Sequence, residues 1–260
     1  MKHYQYENIL KKILDTIINN KIWKVQLKMK TKIYCDSADY KTIKFFNNKK
    51  IVDGFTTNPS LMSISGAKNY KDYSLKILKI CKSKPISFEV FADTPKEMLS
   101  QAYKINTWGK NVYVKIPVVN SKGVFTGPVI KELSAKKIKL NITAVYTFEQ
   151  VKKILDCLDK KTKSIISIFA GRMADKGKDP LPIFKKSILI TKKYKKIEIL
   201  WASTREPYNY IQAKQLNCNI ITMPPKTINQ IANFGKSSQQ MTLETVKNFL
   251  KDSKKSNFSI

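Results

Sequence analysis

The chain has 260 residues, 42% of them hydrophobic and 10% aromatic, with only 8 glycines and 10 prolines. That composition suits one large or two small packed domains and excludes a disordered, collagen-like or linker-rich protein. The formal charge is +30, from 49 basic against 19 acidic residues, so nucleic acid or an anionic membrane has to be weighed as a partner.

Only Arg172 and Arg205 are arginine, and the lysines are scattered along the whole chain. Base and phosphate readers rely on arginine and on clustered patches, so no specific nucleic-acid partner is expected. The single histidine, His3, argues against Ser-His-Asp, Cys-His and His-ligated zinc chemistry. Cys35, Cys81, Cys157 and Cys218 form no CxxC pair, which removes a zinc ribbon or redox motif. Neither a metal nor a cofactor is expected. No signal-peptide core and no run of 18 apolar residues occurs, so no membrane association and a reducing, cytoplasmic setting are expected. Homo-oligomerisation is left open.

In chain order, residues 5–20 put Ile9, Leu10, Ile13, Leu14, Ile17 and Ile18 on one helical face. This predicts an N-terminal helical extension, residues 1–31, packed on the rest, with a basic membrane-surface helix as the alternative. From residue 32, eight β-type runs alternate with helical patterns: Lys32–Asp36, Val52–Asn58, Ile86–Phe91, Val112–Val118, Lys139–Val145, Ser164–Ala170, Glu198–Ser203 and Asn219–Pro224. The intervening helices show spacings of three and four, as in Tyr73, Ile77, Ile80 and Cys81, or Val151, Ile154, Leu155 and Leu158. After a polar loop at 233–240, Thr242–Leu250 reads as a C-terminal helix capped by Thr242. Eight βα units over residues 32–260 predict an α/β fold, a single (β/α)8 TIM barrel with an extra N-terminal and a C-terminal helix.

In such a barrel alternate strand residues face the lumen, and chemistry gathers at the C-terminal mouth. Apolar outward sets, such as Val112/Val114/Ile116/Val118, Leu140/Ile142/Ala144 and Ile166/Ile168/Ala170, leave inward sets of Tyr34/Asp36, Thr56/Asn58, Ser87/Glu89, Tyr113/Lys115/Pro117, Asn141/Thr143, Ser167/Phe169 and Trp201/Ser203. One lysine thus shares a lumen with two carboxylates, two asparagines and several hydroxyls. A desolvated lysine loses its proton more readily and can attack a ketone as the free amine. Asp36 or Glu89 would move protons beside the resulting imine. Arg172 and Arg205 follow the sixth and seventh strands by two residues each, where their planar forks suit a phosphate with help from Ser203 and Thr204. The alternative is structural pairing with Asp175 or Glu206. The residues together read as a class I aldol enzyme acting on a sugar phosphate.

The motifs YCDSAD (34–39), GFTTNPS (54–60), VYVKIP (112–117), NITAVYT (141–147), SIFAGRMAD (167–175) and WASTRE (201–206) resemble transaldolase and its small-barrel relatives, including fructose-6-phosphate aldolase. The resemblance runs from about residue 32 to 250. It implies Lys115 as the Schiff-base lysine and Asp36 as acceptor of the proton from the hydroxyl that becomes the departing aldehyde. Glu89, through a water held with Thr143, would serve the carbinolamine and imine steps. Asn58, Asn141 and Ser167 would hold the dihydroxyacetone hydroxyls, and Arg172, Ser203 and Arg205 the phosphate. Glu89 and Phe169 match transaldolases, where the aldolase has glutamine and tyrosine. The expected activity is transfer of a dihydroxyacetone unit from a ketose phosphate, such as sedoheptulose 7-phosphate or fructose 6-phosphate, to an aldose phosphate. The alternatives are an aldolase-like lyase and a non-enzymatic, lysine-rich polyanion-binding barrel. Ile168 replaces a usual proline, and ASTREP departs from the commoner ASFR or ASFK.

Overall fold

The computed structural model describes residues 30–256. The predicted N-terminal helix at 5–20 lies outside the described residues. Eight strands close into an all-parallel barrel in sequential order: β1 (Lys32–Asp36), β2 (Gly54–Thr56), β3 (Ile86–Glu89), β4 (Val112–Pro117), β5 (Leu140–Val145), β6 (Ser164–Phe169), β7 (Ile197–Ala202) and β8 (Ile220–Met223). β1 pairs with both β2 and β8, which seals the barrel. The helices that return the chain are α1 (Tyr40–Asn47), α2 (Pro59–Ile64), α3 (Tyr70–Ile80), α4 (Pro95–Asn106), α5 (Gly127–Ala135), α6 (Phe148–Cys157), α7 (Ala170–Ala174), α8 (Leu181–Thr191), α9 (Tyr208–Gln215) and α10 (Pro225–Gln230). Short polar side chains start many of them, as the predicted βα turns require: Asp39 caps α1, Asn69 caps α3, Thr94 caps α4, and Thr147 with Gln150 forms a capping box on α6.

Two apolar layers follow from strand alternation. The outer one packs residues such as Cys35, Phe88, Val114, Ile142 and Ile168 against the helices. The inner one fills the lumen with Tyr34, Tyr113, Ile165, Leu200, Ala202 and Ile220, with Phe169 above them. Gly54 is required here, since a Cβ would meet the Tyr34 ring at 2.6 Å and the Pro85 carbonyl at 2.9 Å. β2 is shorter than the run Val52–Asn58, whose last residue, Asn58, caps α2 instead. All four cysteines are free, and burial pushes the thiols of Cys35, Cys81 and Cys218 up to about 12. Among the described residues no helix is long and apolar enough to cross a membrane.

Three expectations are corrected. Trp201 does not face the lumen: its ring stacks on Phe184 of α8 at 4.4 Å, and Leu200 and Ala202 take the inward positions. With Leu200 and Ala202 inward, alternation along β7 sends Trp201 to the helix layer. Ala144 does not continue the outward set of β5. A register shift between Ile142 and Val145 lets Ala144 adopt φ 59°, and Val145 fills the helix layer in its place. The C-terminal helix, α11, spans Ser238–Ser256. Its start is fixed by Ser237 and Gln240, each side chain taking the other's backbone N–H at 3.2 and 2.8 Å, while Thr242 sits inside the helix with its hydroxyl on the Ser238 carbonyl. α11 buries none of its residues and exposes Leu243, Val246, Phe249 and Leu250.

Candidate active site

The mouth of the barrel holds a cavity of about 240 Å³. Asp36, Thr56, Asn58, Lys115, Asn141, Thr143, Ser167, Phe169, Arg172, Ser203 and Arg205 line it, joined by Leu200, Ala202, Thr204, Thr222 and Pro224. Every residue given a chemical or binding role by the resemblance lines this cavity except Glu89, which touches it through Lys115. Strand register does the assembling: Glu89 lies opposite Lys115 on the β3–β4 pair, Lys115 opposite Asn141 on β4–β5, and Pro117 opposite Thr143.

Lys115 is 7% exposed. Its ammonium donates to the Thr57 carbonyl at 3.1 Å and pairs with Glu89 Oε2 at 3.0 Å. The sequence reading counted on desolvation alone, whereas the structure gives the amine two oxygen partners. Glu89 Oε2 thus lies within hydrogen-bond distance of Nζ. Glu89 is held in turn from outside the barrel, where its backbone N–H donates to the hydroxyl of Tyr70 on α3 at 2.9 Å.

Beside this pair runs a chain of neutral groups. Ser167 donates to Asn141 Oδ1 at 2.6 Å, and Asn141 Nδ2 donates to Ser87 Oγ at 3.0 Å. The Thr143 hydroxyl is buried without a partner. A buried hydroxyl left unpaired costs about 1–3 kcal/mol, so this atom is poised to bind something that enters the cavity. Asn58 caps α2 through its Oδ1, which accepts from Leu61 N at 2.8 Å, and its amide nitrogen is left to donate to a ligand.

On the opposite wall Asp36 accepts from Thr56 Oγ1 at 2.6 Å. Burial pushes its carboxyl above the usual carboxylate range, with the Thr56 hydrogen bond and the Lys115 charge working the other way. Below the site the phenols of Tyr34 and Tyr113 are raised by burial, Tyr113 to about 12, so the floor stays uncharged.

The rim is formed where α7 meets the turn after β7. A Cβ on Gly171 would lie 1.7 Å from the Ser203 carbonyl and 2.9 Å from Arg205 Cγ, so only glycine permits this approach. Ser203 itself adopts φ 62°, which turns it toward the mouth although Ala202 before it already points inward. Arg172 lies over the Phe169 ring, 5.4 Å from its centroid. Arg205 pairs with Asp175 through Nε at 3.1 Å and through Nη2, and these contacts hold the Asp175 carboxyl below its ordinary value. The structural pairing weighed for Arg205 thus exists, and one edge of its fork is taken. Thr204 is also engaged, donating to the Thr222 carbonyl at 2.7 Å.

The family model described as Transaldolase/Fructose-6-phosphate aldolase matches residues 33–260. The chain belongs to that family. Among its relatives, the probable transaldolase of Nitrosopumilus maritimus is 33% identical over 223 residues, covering 85% of this chain and 94% of that one. The probable transaldolase of Thermoplasma volcanium is 33% identical over 227 residues, covering 86% and 96%. Solved structures with the same barrel include a putative dihydrodipicolinate synthase family protein from Coccidioides immitis (TM-score 0.54, 13% identity, 82% of this chain and 75% of that one) and a putative phosphonomutase from Burkholderia cenocepacia (TM-score 0.53, 7% identity, 85% and 94%). At such identities they bear on the fold alone.

Three site residues escaped the sequence reading. Thr222 was within its reach, because Ile221 and Met223 pack outward and leave Thr222 inward by parity. Thr57 acts through its backbone carbonyl, and Tyr70 arrives from a helix; strand patterns signal neither.

Proposed function

We propose that this chain is a transaldolase in which Lys115 forms an imine with a ketose phosphate and passes a dihydroxyacetone unit to an aldose phosphate. The observation that carries the reading is the pairing of buried Lys115 with Glu89 in the wall of a cavity whose rim carries both arginines of the chain. Glu89 takes the ammonium proton, and the free amine adds to the substrate carbonyl. Glu89 then gives that proton to the oxygen of the adduct, takes a second proton from the added nitrogen and passes it to the same oxygen, which leaves as water and yields the protonated imine, with the unpaired Thr143 hydroxyl holding that water. Asp36 accepts the proton of the hydroxyl beside the scissile bond. That C–C bond breaks, its electrons pass through the imine to the nitrogen, and an aldose departs. The enamine attacks the carbonyl of a second aldose, Asp36 gives its proton to the new hydroxyl, and hydrolysis frees the product.

Asn58, Asn141 and Ser167 present amide and hydroxyl groups to the dihydroxyacetone oxygens. Arg172, Ser203 and the free edge of Arg205 bind the phosphate. Phe169 brings no hydroxyl to the enamine, which favours transfer over protonation and release. The N-terminal extension 1–31 is an addition to the catalytic barrel at 32–260, and the chain works in the cytoplasm.

The test is a chase. Enzyme is mixed with fructose 6-phosphate, the released glyceraldehyde 3-phosphate is removed, and erythrose 4-phosphate or buffer is added. A transaldolase yields sedoheptulose 7-phosphate with acceptor and little free dihydroxyacetone without it. Rapid release of dihydroxyacetone in buffer would instead assign the aldolase activity.

A further inference from the structure

Resting on that reading, we infer that Thr222 of β8 is a positioning residue, acting through Thr56 to keep one oxygen of Asp36 occupied and the other available as the base. β1 has two neighbours in the barrel, β2 and β8, and each sends one threonine over the end of β1. Thr56 Oγ1 lies 2.6 Å from Asp36 Oδ1 and 2.5 Å from Thr222 Oγ1. Both hydroxyls are buried, at 3% and 5% exposure for their residues.

Counting protons fixes the direction of this chain. An ionised carboxylate only accepts, so the single Thr56 proton goes to Asp36, and the Thr56 oxygen must then take the proton of Thr222. The order is Thr222 to Thr56 to Asp36. It also serves after the carboxylate has collected a proton from substrate, provided that proton sits on Oδ2, since Oδ1 still accepts from Thr56. One arrangement of hydroxyls thus supports both states of the base without turning over between them. Thr222 is anchored for the task by its own carbonyl, which accepts from Thr204 in the turn that also carries Arg205.

Charge offers Asp36 little else from its neighbours. β2 (GFT) and β8 (IITM) contain no titratable residue. The charged groups facing the same cavity are Lys115 from β4, backed by Glu89 of β3, and Arg172 and Arg205 at the rim. On β1 itself Cys35 points into the helix layer and Tyr34 into the neutral floor. Burial already raises the Asp36 carboxyl. Cleavage needs the carboxylate, so activity falls as pH drops through that raised value. Losing the hydrogen bond that polarises Thr56 weakens support for the carboxylate and moves this acid limb further up.

The experiment is the pH profile of single-turnover glyceraldehyde 3-phosphate release from fructose 6-phosphate, for wild type, Thr222→Val and Thr222→Ser. Thermal unfolding confirms that each variant is folded. Thr222→Val keeps the shape and loses the hydroxyl, and its acid limb is expected to move up by about half a unit to one unit. Thr222→Ser keeps the hydroxyl and restores the wild-type limb. An unmoved limb in Thr222→Val, or an equal shift in Thr222→Ser, overturns the inference while leaving the imine reading intact. No aldehyde release and no borohydride-trapped adduct in wild type would overturn both.

Discussion

Around Lys115 the polar atoms sit on strands or, for Thr57, one residue past a strand end, and are tied to one another inside the barrel: Glu89 at 3.0 Å, the Thr57 carbonyl at 3.1 Å, and Ser167 on Asn141 at 2.6 Å. Around Arg205 the charged atoms sit on a turn and a helix end, about half exposed, with the arginine leaning on Asp175 and on the bare backbone of Gly171. The first region is rigid because strand register sets it. The second depends on two backbone exceptions, a glycine no side chain can replace and a serine in the left-handed region. Reaction chemistry requires groups fixed to fractions of an ångström, which strands supply. A phosphate is a large, highly charged target that an arginine fork can follow, so a turn suffices.

The contrast is broken most severely at the rigid end. Glu89→Gln keeps the shape but cannot take the Lys115 proton, and the rate of adduct formation, followed by borohydride trapping, is expected to fall about 10²-fold or more. At the rim, Arg205→Ala is expected to raise KM for fructose 6-phosphate about 10- to 100-fold, with a smaller change in kcat, because a charge-assisted hydrogen bond contributes about 1.5–3 kcal/mol. A KM that stays put would mean Asp175 holds Arg205 for structure alone.

The same difference decided what could be read from the amino-acid sequence. Within β1, β3, β4 and β6 the two-residue period holds to the strand end, so Asp36, Glu89, Lys115 and Ser167 were assigned their faces correctly. It fails where a non-glycine residue enters the left-handed region. Ala144 skips a place in β5, and Ser203 turns inward directly after Ala202, so assigning β7 from Ser203 backwards put Trp201 on the wrong face. Nothing in the one-dimensional pattern announces a positive φ at alanine or serine. Tyr70 was beyond reach for another reason: it meets the Glu89 N–H from a helix, which strand patterns do not place.

Stability measurements sharpen the contrast further. Gly171→Ala drives a methyl into the Ser203 carbonyl, and chemical unfolding is expected to report a loss of about 1–3 kcal/mol together with a raised KM. The smallest effect is at the bulge. Ala144→Gly relieves a left-handed alanine while adding freedom to the unfolded chain, for a net change in unfolding free energy of about 1 kcal/mol or less, in the stabilising direction.

The central claim is that Lys115 is the nucleophile, and one measurement addresses it most directly. The protein is incubated with fructose 6-phosphate, reduced with borohydride, digested and mapped by mass spectrometry beside Lys115→Ala. A dihydroxyacetone-sized addition on the Lys115 peptide, absent from the folded Lys115→Ala protein, is the predicted result. An unmodified Lys115 peptide in folded wild type, or an adduct that persists at another lysine in the variant, would contradict it.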